Sequence, residues 1–476
     1  MELMCSRALA AIDTLMQDCR RGFPSHRPSS ITSRCAISVL ILIITPVILS
    51  VGCGGGGSGQ GGTPISSSIS LQLSSDVLTV PAGGSIGRVN ATIARSGSTG
   101  SVTLSISGEP GGASATFLQP GNGNSGEVDL NPGTAAIGTY PLTVQASDGV
   151  NSSSAGLSLV INAGITSQLP GPFSWSSTAP LISAIPDATH PILAVKDPSV
   201  VFFNNLWHVY ATTSTGSAWS MIYLNFPTWQ QASSAKPYYM DANPGFVGYH
   251  AAPEVFFFGP QNKWYLIFQS PQPQYSTTDD LSQPATWTTP QNFFASQPAN
   301  VPNWIDFWVI CDSVNCYLFF SGDDGSFYRS QTTIQSFPAN FSTPVLVMKS
   351  ANPFELFEAS NTYAMQGLNQ YLTLIEAIDG SGRRYYHAFV ANQLAGDWTP
   401  IPTASTSAQP FAGINNVTFD PGVTPWTVDI SHGEMLRAGY DETLTIDPTH
   451  LQYLYQGTSS HPSNYAQIPW QLGLLH

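Results

Sequence analysis

The chain has 476 residues, of which 42% are hydrophobic, 11% aromatic and only 9% charged, so it can bury a large core. Its formal net charge of −14 argues against nucleic-acid binding, because such a chain cannot neutralise phosphates. The high content of Trp and Tyr suits contact with neutral polymers, since flat aromatic rings stack on sugar faces.

The N-terminus predicts export. Residues 1–52 have the pattern of a signal peptide: arginines between positions 20 and 34 precede an uncharged run, residues 36–51, that is shorter than the roughly 20 residues of a membrane span. The run ends in LSVGC and resembles a bacterial lipoprotein signal, in which Cys53 would be lipidated. We expect a cell-surface or outer-membrane lipoprotein whose membrane contact is the lipid anchor; ordinary secretion with cleavage nearby is the alternative.

A change in composition follows the signal. Residues 53–64 form a Gly-rich linker, which is typical of a flexible tether. Residues 65–163 then alternate apolar and polar positions between Gly, Ser and Pro turns, the pattern of a small antiparallel β-sandwich. This segment resembles the immunoglobulin-like modules of bacterial surface proteins and is expected to act as a spacer. Carbohydrate binding is the alternative, but the segment has no Trp on which a sugar could stack.

Carboxylates recur in the C-terminal region. Asp197, Glu254, Asp306 and Glu358 lie in similar aromatic-rich segments at intervals of roughly 50 residues, the period of a β-propeller blade. The segments read as hairpins, and a fifth, HGEMLRAGY with LQYLYQG, follows. The sequence therefore predicts an all-β protein with a five-bladed propeller at residues 172–476, whose acids gather around a central channel. An irregular β-sandwich with solvated acids is the alternative.

Cysteine usage agrees with export. Cys311 and Cys316 flank a DSVN turn in one predicted hairpin, so they could pair across the strands as a disulfide. A metal site is the weaker alternative, because no second Cys pair or His cluster accompanies them.

Ordered motifs of this region resemble those of glycoside hydrolase family 62, the α-L-arabinofuranosidases. They are KDPS, WIDFWVICD, YLFFSGDDGSFYRS, LFEAS, VDISHGEMLR and LQYLYQG, and they extend over almost all of residues 172–476. The resemblance implies a five-bladed propeller that removes arabinofuranose side chains from arabinoxylan by an inverting mechanism. Two alternatives stay open: a family 43-like hydrolase of arabinan or β-xylosides, and a non-catalytic glycan-binding surface lipoprotein. A complete set of acids argues against the second.

The resemblance also implies site roles. Asp197 would be the general base, Glu358 the general acid, and Asp306 the carboxylate that orients the acid and adjusts its pKa. Inversion needs one carboxylate to activate water and a protonated carboxyl across the sugar. Lys196 would bind a sugar hydroxyl and keep Asp197 ionised, although neighbours in a regular strand point to opposite faces.

The resemblance also implies substrate and metal contacts. Arg437 and Tyr465 resemble substrate-binding positions, and His432 resembles the position that meets one structural calcium ion. Calcium prefers oxygen ligands, so water would fill most of its shell. Glu254 and Glu376 are equally consistent with structural roles. We expect the protein to be a monomer.

Overall fold

The computed structural model describes residues 67–164, 168–169 and 171–476. The predicted signal peptide, the linker and Cys53 lie outside these residues. No helix among the described residues is long and apolar enough to cross a membrane.

The first part of the described chain forms two four-stranded sheets. Their strand orders are β1-β3-β6-β5 and β2-β8-β7-β4, and only the β2–β8 pair is parallel. The strands are β1 (Ser68–Leu73), β2 (Val77–Pro81), β3 (Gly87–Ser96), β4 (Thr103–Ser107), β5 (Ser114–Leu118), β6 (Ser125–Asn131), β7 (Gly138–Ser147) and β8 (Ser152–Asn162). Buried and exposed residues alternate along β3, so that Val89, Ala91 and Ile93 enter a core shared by both sheets.

The rest of the chain forms five further sheets and one short hairpin. The strands are β9 (Trp175–Ser177), β10 (Ala194–Phe203), β11 (Leu206–Ser214), β12 (Trp219–Phe226), β13 (Tyr238–Tyr239), β14 (Ala251–Phe258), β15 (Lys263–Gln269), β16 (Pro273–Thr278), β17 (Gln291–Asn292), β18 (Ile305–Cys311), β19 (Asn315–Ser321), β20 (Ser326–Thr333), β21 (Val345–Lys349), β22 (Glu358–Met365), β23 (Tyr371–Ile378), β24 (Arg384–Ala391), β25 (Thr399–Pro400), β26 (Ser405–Thr406), β27 (Gln409–Pro410), β28 (Val417–Phe419), β29 (Ser431–Met435), β30 (Thr445–Ile446), β31 (Tyr453–Gly457) and β32 (Gln471–Leu475).

Sheet order follows chain order in most of this region. The sheets are β10-β11-β12-β13, β14-β15-β16-β17, β18-β19-β20-β21, β25-β24-β23-β22-β30 and β28-β9-β32-β31-β29, with β26-β27 as the hairpin. The helices that the structure describes are all short 3₁₀ segments: Trp229–Ser234, Met240–Ala242, Pro244–Phe246, Gly259–Gln261, Pro284–Thr286, Pro402–Ala404, Ile414–Asn416 and Tyr465–Gln467. The prediction of an all-β protein is confirmed.

One strand of each sheet contacts its counterparts in a cycle. In order, β10 contacts β14, β14 contacts β18, β18 contacts β22, β22 contacts β29, and β29 contacts β10. Each of these five strands pairs antiparallel with a second strand and carries a bulge. Just after the start of the bulge lies a residue with a positive φ in four of the five strands: Asp197 (46°), Ala252 (48°), Asp306 (55°) and Ala359 (53°).

Side chains fasten neighbouring sheets together at these bulges. The residue opposite the start of one bulge accepts a hydrogen bond from the backbone N–H in the next sheet: Thr212 Oγ1 from Ala252 (2.8 Å), Gln269 Oε1 from Asp306 (3.1 Å), Glu376 Oε2 from His432 (2.8 Å) and Gln456 Oε1 from Asp197 (2.7 Å). The Ala359 N–H is the exception, because it donates to Asp306 Oδ2 (2.8 Å) while Ser321 occupies the equivalent position. The carboxylate of Asp306 therefore replaces the usual link between these two sheets.

The two N-terminal sheets contact the edges of two later sheets, at β21 and next to β25. The loop after β2 supplies the Ile86 N–H, which donates to the Val347 carbonyl in β21 at 2.9 Å. The buried Ser85 hydroxyl accepts a hydrogen bond from the Trp398 N–H, just before β25. This loop thus binds backbone groups of two different sheets.

Candidate active site

A bulge brings Lys196 and Asp197 to the same side of β10. The register of β10 against β11 shifts between Lys196 and Ser199, which breaks the alternation of a regular strand. As a result Lys196 Nζ lies 3.1 Å from Asp197 Oδ2, and both side chains are buried. Lys196 Nζ also donates to the Tyr465 hydroxyl at 3.1 Å.

Asp197 is held in its ionised form by two cations. Burial alone raises the pKa of a carboxyl, but Lys196 and His432 outweigh burial here, so the pKa of Asp197 lies below its ordinary value. His432 Nδ1 lies 3.2 Å from Asp197 Oδ1. Asp197 therefore stays ionised, which is the state that a general base needs.

Asp306 lies between the other groups of the site. Its Oδ2 is 3.7 Å from His432 Nδ1 and accepts the hydrogen bond from Ala359, the residue directly after Glu358. Burial raises the pKa of Asp306, His432 opposes the rise, and Glu358 and Asp197 add to it, so that the pKa is about 6. Asp306 thus fixes the backbone that carries Glu358.

Arg384 is a further cation in the site, and its side chain is 12% exposed. Its Nη1 lies 2.5 Å from Glu358 Oε1 and also pairs with Glu376 Oε1. Glu376 is fully buried, and its other oxygen accepts from the Ser431 hydroxyl (2.7 Å) and the His432 N–H (2.8 Å). Burial raises the pKa of Glu376 to about 7, with Arg384 opposing the shift. We refer to Asp197, Asp306, Glu358 and Glu376 as the carboxylate cluster.

His432 is a shared counter-ion of this cluster. Burial lowers the pKa of an imidazole, but Asp306 and Asp197 outweigh burial and raise that of His432 to about 9. His432, the predicted calcium ligand, therefore faces two carboxylates with its Nδ1. Nε2 is the ring nitrogen that is left for a metal ion. Within residues 67–164, 168–169 and 171–476, no group of three or more His, Cys, Asp or Glu side chains could hold a metal ion.

Tyr465 lies at the edge of the cluster. It begins the 3₁₀ segment Tyr465–Gln467, which is capped by Asn464, and it is 39% exposed. Its ring lies under two cations: Lys196 Nζ is 5.0 Å and Arg384 Cζ 5.6 Å from the ring centroid. Burial of the hydroxyl raises the pKa of Tyr465 to about 12, with Lys196 and Arg384 opposing it.

The predicted substrate contact of Arg437 is wrong. The Arg437 side chain has no exposed surface; its Nε lies 2.8 Å from Glu434 Oε1, and Nη2 donates to the carbonyls of Val200 and Val255, both at 2.8 Å. A cation enclosed in this way cannot reach a polysaccharide. Arg437 instead joins β10 to β14.

Glu254 does not belong to the cluster either. The residue equivalent to Asp197 in β14 is Ala252, two positions earlier, so the even spacing of the acids misaligned this strand. Glu254 is fully buried, and its Oε2 accepts the Val309 N–H at 2.7 Å. Its role is to link β14 to β18. The other predicted pair, Cys311 and Cys316, face each other across β18 and β19 and are joined by a disulfide bond.

Sequence reasoning missed Arg384 and the two glutamines that hold the bulges. Gln269 and Gln456 each accept the N–H of a cluster aspartate, Asp306 and Asp197 respectively. Their signal in the sequence is a position: each lies at the end of the second strand of a hairpin, opposite the start of a bulge. Arg384 has no comparable signal, because its partners come from two other strands.

Asp197 and Glu358 come from separate strands, and a pair of carboxylates is the catalytic arrangement that glycoside hydrolases use. Residues 174–476 match the family described as glycosyl hydrolase family 62, and the chain belongs to this family.

Known proteins similar to the chain include one curated relative. Alpha-L-arabinofuranosidase C of Cellvibrio japonicus is 44% identical over 314 residues, which are 65% of this chain and 48% of the relative. The chain therefore spans about half the length of that protein.

Two solved structures cover almost the same region. The catalytic domain of the Coprinopsis cinerea GH62 alpha-L-arabinofuranosidase is 45% identical with a TM-score of 0.62, covering 64% of this chain and 96% of that domain. The alpha-L-arabinofuranosidase PaAbf62A from Podospora anserina, in complex with cellotriose, is 38% identical with a TM-score of 0.62, covering 65% and 98%.

Proposed function

We propose that this protein is an inverting α-L-arabinofuranosidase that removes arabinofuranose side chains from arabinoxylan. Membership of glycosyl hydrolase family 62 and the arabinofuranosidases among its relatives support the activity. The observation that carries the proposal is a set of carboxylates from separate strands: Asp197 lies beside the cations Lys196 and His432, and Asp306 faces His432 and holds the residue that follows Glu358.

Asp197 is the proposed general base. In a single step it takes a proton from a water molecule whose oxygen bonds to the anomeric carbon, while the bond from that carbon to the departing oxygen breaks. Lys196 and His432 keep Asp197 ionised despite its burial, and the attacking water becomes acidic enough to give up its proton as its oxygen bonds to the anomeric carbon. The arabinose is released with inverted configuration.

Glu358 is the proposed general acid, which gives its proton to the departing oxygen. Asp306 acts through position, since it holds the N–H of Ala359 beside the acid. Arg384 bridges Glu358 and Glu376, which restricts the Glu358 carboxyl to one orientation. Lys196 and Tyr465 are proposed to contact the sugar, because the lysine ammonium and the tyrosine hydroxyl meet beside Asp197.

We propose that residues 172–476 form a five-bladed β-propeller. The cycle of contacts from β10 through β14, β18, β22 and β29 back to β10 supports this arrangement. Residues 65–163 are proposed to form an immunoglobulin-like sandwich, which the two facing four-stranded sheets and their common core support. We propose that the protein works as a monomer.

Calcium at His432 stays a proposal based on family resemblance. The residues around it offer one ring nitrogen, Nε2, and that nitrogen must lose its proton before it can bind a metal. Water would supply the other ligands, and the ion would serve the charge balance of the cluster. Chelation should lower the midpoint of thermal unfolding, and added calcium should restore it; an unchanged midpoint together with no calcium in the purified protein contradicts the proposal.

The predicted export of the protein is also kept as a proposal. A lipid on Cys53 would attach the enzyme to a bacterial membrane through the Gly-rich linker, residues 53–64. Fatty-acid labelling and recovery in the membrane fraction should both disappear in Cys53→Ser. Labelling that persists in this variant excludes lipidation at Cys53.

Product analysis tests the proposed activity. The protein is incubated separately with wheat arabinoxylan, debranched arabinan and an aryl β-xyloside, and released monosaccharides are identified, with Asp197→Ala as the inactive control. We expect arabinose from arabinoxylan and no xylose from the xyloside. Release from debranched arabinan or the xyloside alone favours a family 43-like activity, and binding without any release favours a non-catalytic glycan-binding protein.

A further inference from the structure

A fully buried carboxylate outside the carboxylate cluster holds the backbone of Arg384. Asp429 lies two residues before β29, its side chain has no exposed surface, and its Oδ1 accepts the Arg384 N–H at 2.9 Å. The Ile430 N–H in turn donates to the Arg384 carbonyl at 3.2 Å. The segment before β29 therefore binds both backbone groups of the residue at which β24 begins.

The second oxygen of Asp429 is bound by a histidine from another loop. His461 Nε2 lies 2.5 Å from Asp429 Oδ2, and because a carboxylate oxygen can only accept, the ring nitrogen is the donor. The His461 side chain is 43% exposed, in contrast to the enclosed aspartate. A side chain at the surface thus satisfies a buried oxygen, as buried polar groups require. We refer to Asp429 and His461 as the Asp–His clasp.

The clasp holds the loop that leads to Tyr465. This loop runs from Thr458 to Asn464 and joins β31 to the 3₁₀ segment that begins at Tyr465; we refer to it as the Tyr465 loop. At its start the Thr458 N–H donates to Thr427 Oγ1 at 2.9 Å, and at its end Asn464 caps the 3₁₀ segment. Within the described residues 461–463, the bond from His461 is the hydrogen bond that leaves the loop. The clasp therefore fixes the middle of the loop.

Arg384 connects the clasp to the carboxylate cluster. Its guanidinium pairs with Glu358 and with Glu376. Its Cζ lies 5.6 Å from the ring centroid of Tyr465 and 5.8 Å from that of the buried Trp470. The clasp thus acts on this guanidinium from two directions: through the backbone of Arg384, and through the loop that places the Tyr465 ring against it.

We propose that Asp429 and His461 are positioning residues for the proton transfer from Glu358. They hold the Tyr465 loop against the backbone of Arg384, and the Arg384 guanidinium then keeps the Glu358 carboxyl in one orientation. Asp429 acts through the Arg384 N–H, and His461 acts through Asp429. The inference rests on the proposed function of Glu358 as general acid. A general acid must lie within hydrogen-bond reach of the departing oxygen, so a loosened carboxyl transfers its proton more slowly.

Three variants of exposed histidines test the clasp: His461→Phe, His461→Gln and the control His476→Phe. His461→Phe keeps a planar ring and removes the donor, whereas His461→Gln keeps a side-chain N–H donor for Asp429. His476 is a matched control, because its Nε2 lies 3.1 Å from Asp420 Oδ1 and its side chain is 44% exposed. Asp420 follows β28, which lies at the other edge of the sheet from β29.

Turnover is measured on two substrates that differ in their leaving groups. We expect His461→Phe to lower kcat on arabinoxylan roughly threefold to tenfold, because the acid is less well aligned. The loss should be smaller on a dinitrophenyl arabinofuranoside, whose acidic phenol departs without a proton from Glu358. His461→Gln should recover most of the kcat on arabinoxylan, and His476→Phe should equal the wild type.

Hydrogen exchange of backbone amides reports on the clasp without any reaction. In His461→Phe the amides of Arg384 and of the Tyr465 loop should exchange roughly threefold faster or more, because the clasp no longer opposes local opening. His461→Gln and His476→Phe should keep wild-type exchange rates at these amides.

The outcomes separate the clasp from the proposed activity. Unchanged exchange in His461→Phe overturns the proposal, and so does faster exchange without any loss of kcat on arabinoxylan. Equal losses on the two substrates, or His461→Gln as impaired as His461→Phe, also overturn it, since the hydrogen bond then does not act through Glu358. If the wild-type protein releases no arabinose but exchange at Arg384 depends on the His461 donor, the clasp stands and the proposed activity fails. An inactive wild type with unchanged exchange refutes both.

Discussion

Lys196 and Asp197 are consecutive residues of one strand, yet the Lys196 ammonium lies 3.1 Å from the Asp197 carboxylate. The bulge in β10 and the positive φ of Asp197 make this possible. The N–H of Asp197 is bound by Gln456 from the neighbouring sheet, which holds the residue in this unusual backbone conformation. The backbone conformation of β10 at Asp197 therefore brings the two side chains of this ion pair together.

Removing the cation should disable the site. In Lys196→Met the buried Asp197 keeps only His432 as a positive neighbour, and an incompletely paired buried charge is costly. We expect kcat/KM for an aryl arabinofuranoside to fall by roughly tenfold or more, in keeping with the loss of a positioned charge. The control is Lys263→Met, whose exposed partner Asp279 lies at the surface. If Lys196→Met and Lys263→Met are equally active, Lys196 does not supply a charge that the reaction needs.

The roles of Asp197 and Glu358 have a stereochemical consequence. Attack by water from the face opposite the leaving group gives β-arabinofuranose from an α-arabinofuranoside as the first product, visible by proton NMR before mutarotation. Asp197→Ala and Glu358→Ala should each lower kcat roughly 10²-fold or more. If the α anomer forms first, a covalent intermediate is required and both assignments fail.

Glu358→Ala should depend strongly on the leaving group. An acidic phenol departs without protonation, so the variant should lose less activity on a dinitrophenyl arabinofuranoside than on arabinoxylan. Asp197→Ala should be impaired on both substrates, because water activation is needed in each case. Equal losses in Glu358→Ala on both substrates would indicate that Glu358 does not protonate the leaving group.

The buried Glu254 should make stability depend on pH. Burial raises its pKa well above the ordinary 4.5, so the folded protein retains a proton that the unfolded chain releases, and stability decreases as pH rises from 4.5 towards the folded pKa. Glu254→Gln keeps an acceptor for the Val309 N–H and removes the titrating carboxyl, and with it the pH dependence that Glu254 gives to stability. The melting temperature of Glu254→Gln relative to wild type should increase from pH 5 to pH 8, by about 2 °C or more. A constant difference, like that expected for the exposed control Glu109→Gln, refutes the argument.

Deletion of residues 65–163 should affect stability more than activity. The deletion exposes the backbone groups of Val347 and Trp398 that Ile86 and Ser85 now bind. We expect a lower melting temperature and nearly unchanged kcat/KM on soluble arabinoxylan. This result is expected of a spacer that also binds and stabilises the sheets next to it. A large increase in KM would identify the segment as a carbohydrate-binding module.

The sequence by itself determined the all-β class and predicted the residues that are proposed to supply the chemistry. Alternating and aromatic-rich runs separated by polar turns specify strands locally, and the motifs around Asp197, Asp306 and Glu358 led to their proposed roles. The hairpin position of Cys311 and Cys316 likewise predicted a pair that the structure joins, because a hairpin register depends on neighbouring residues.

Tertiary structure alone decided which neighbours each acid has. Bulges shift side chains between faces, so Lys196 joins Asp197 although strand alternation separates them, and Glu254 lies two positions away from its expected equivalent. Arg384 reaches Glu358 and Glu376 from a third strand, and Arg437 is enclosed among backbone carbonyls. The geometry of these contacts depends on where the strands bulge and on how strands and sheets pack, which no local pattern records.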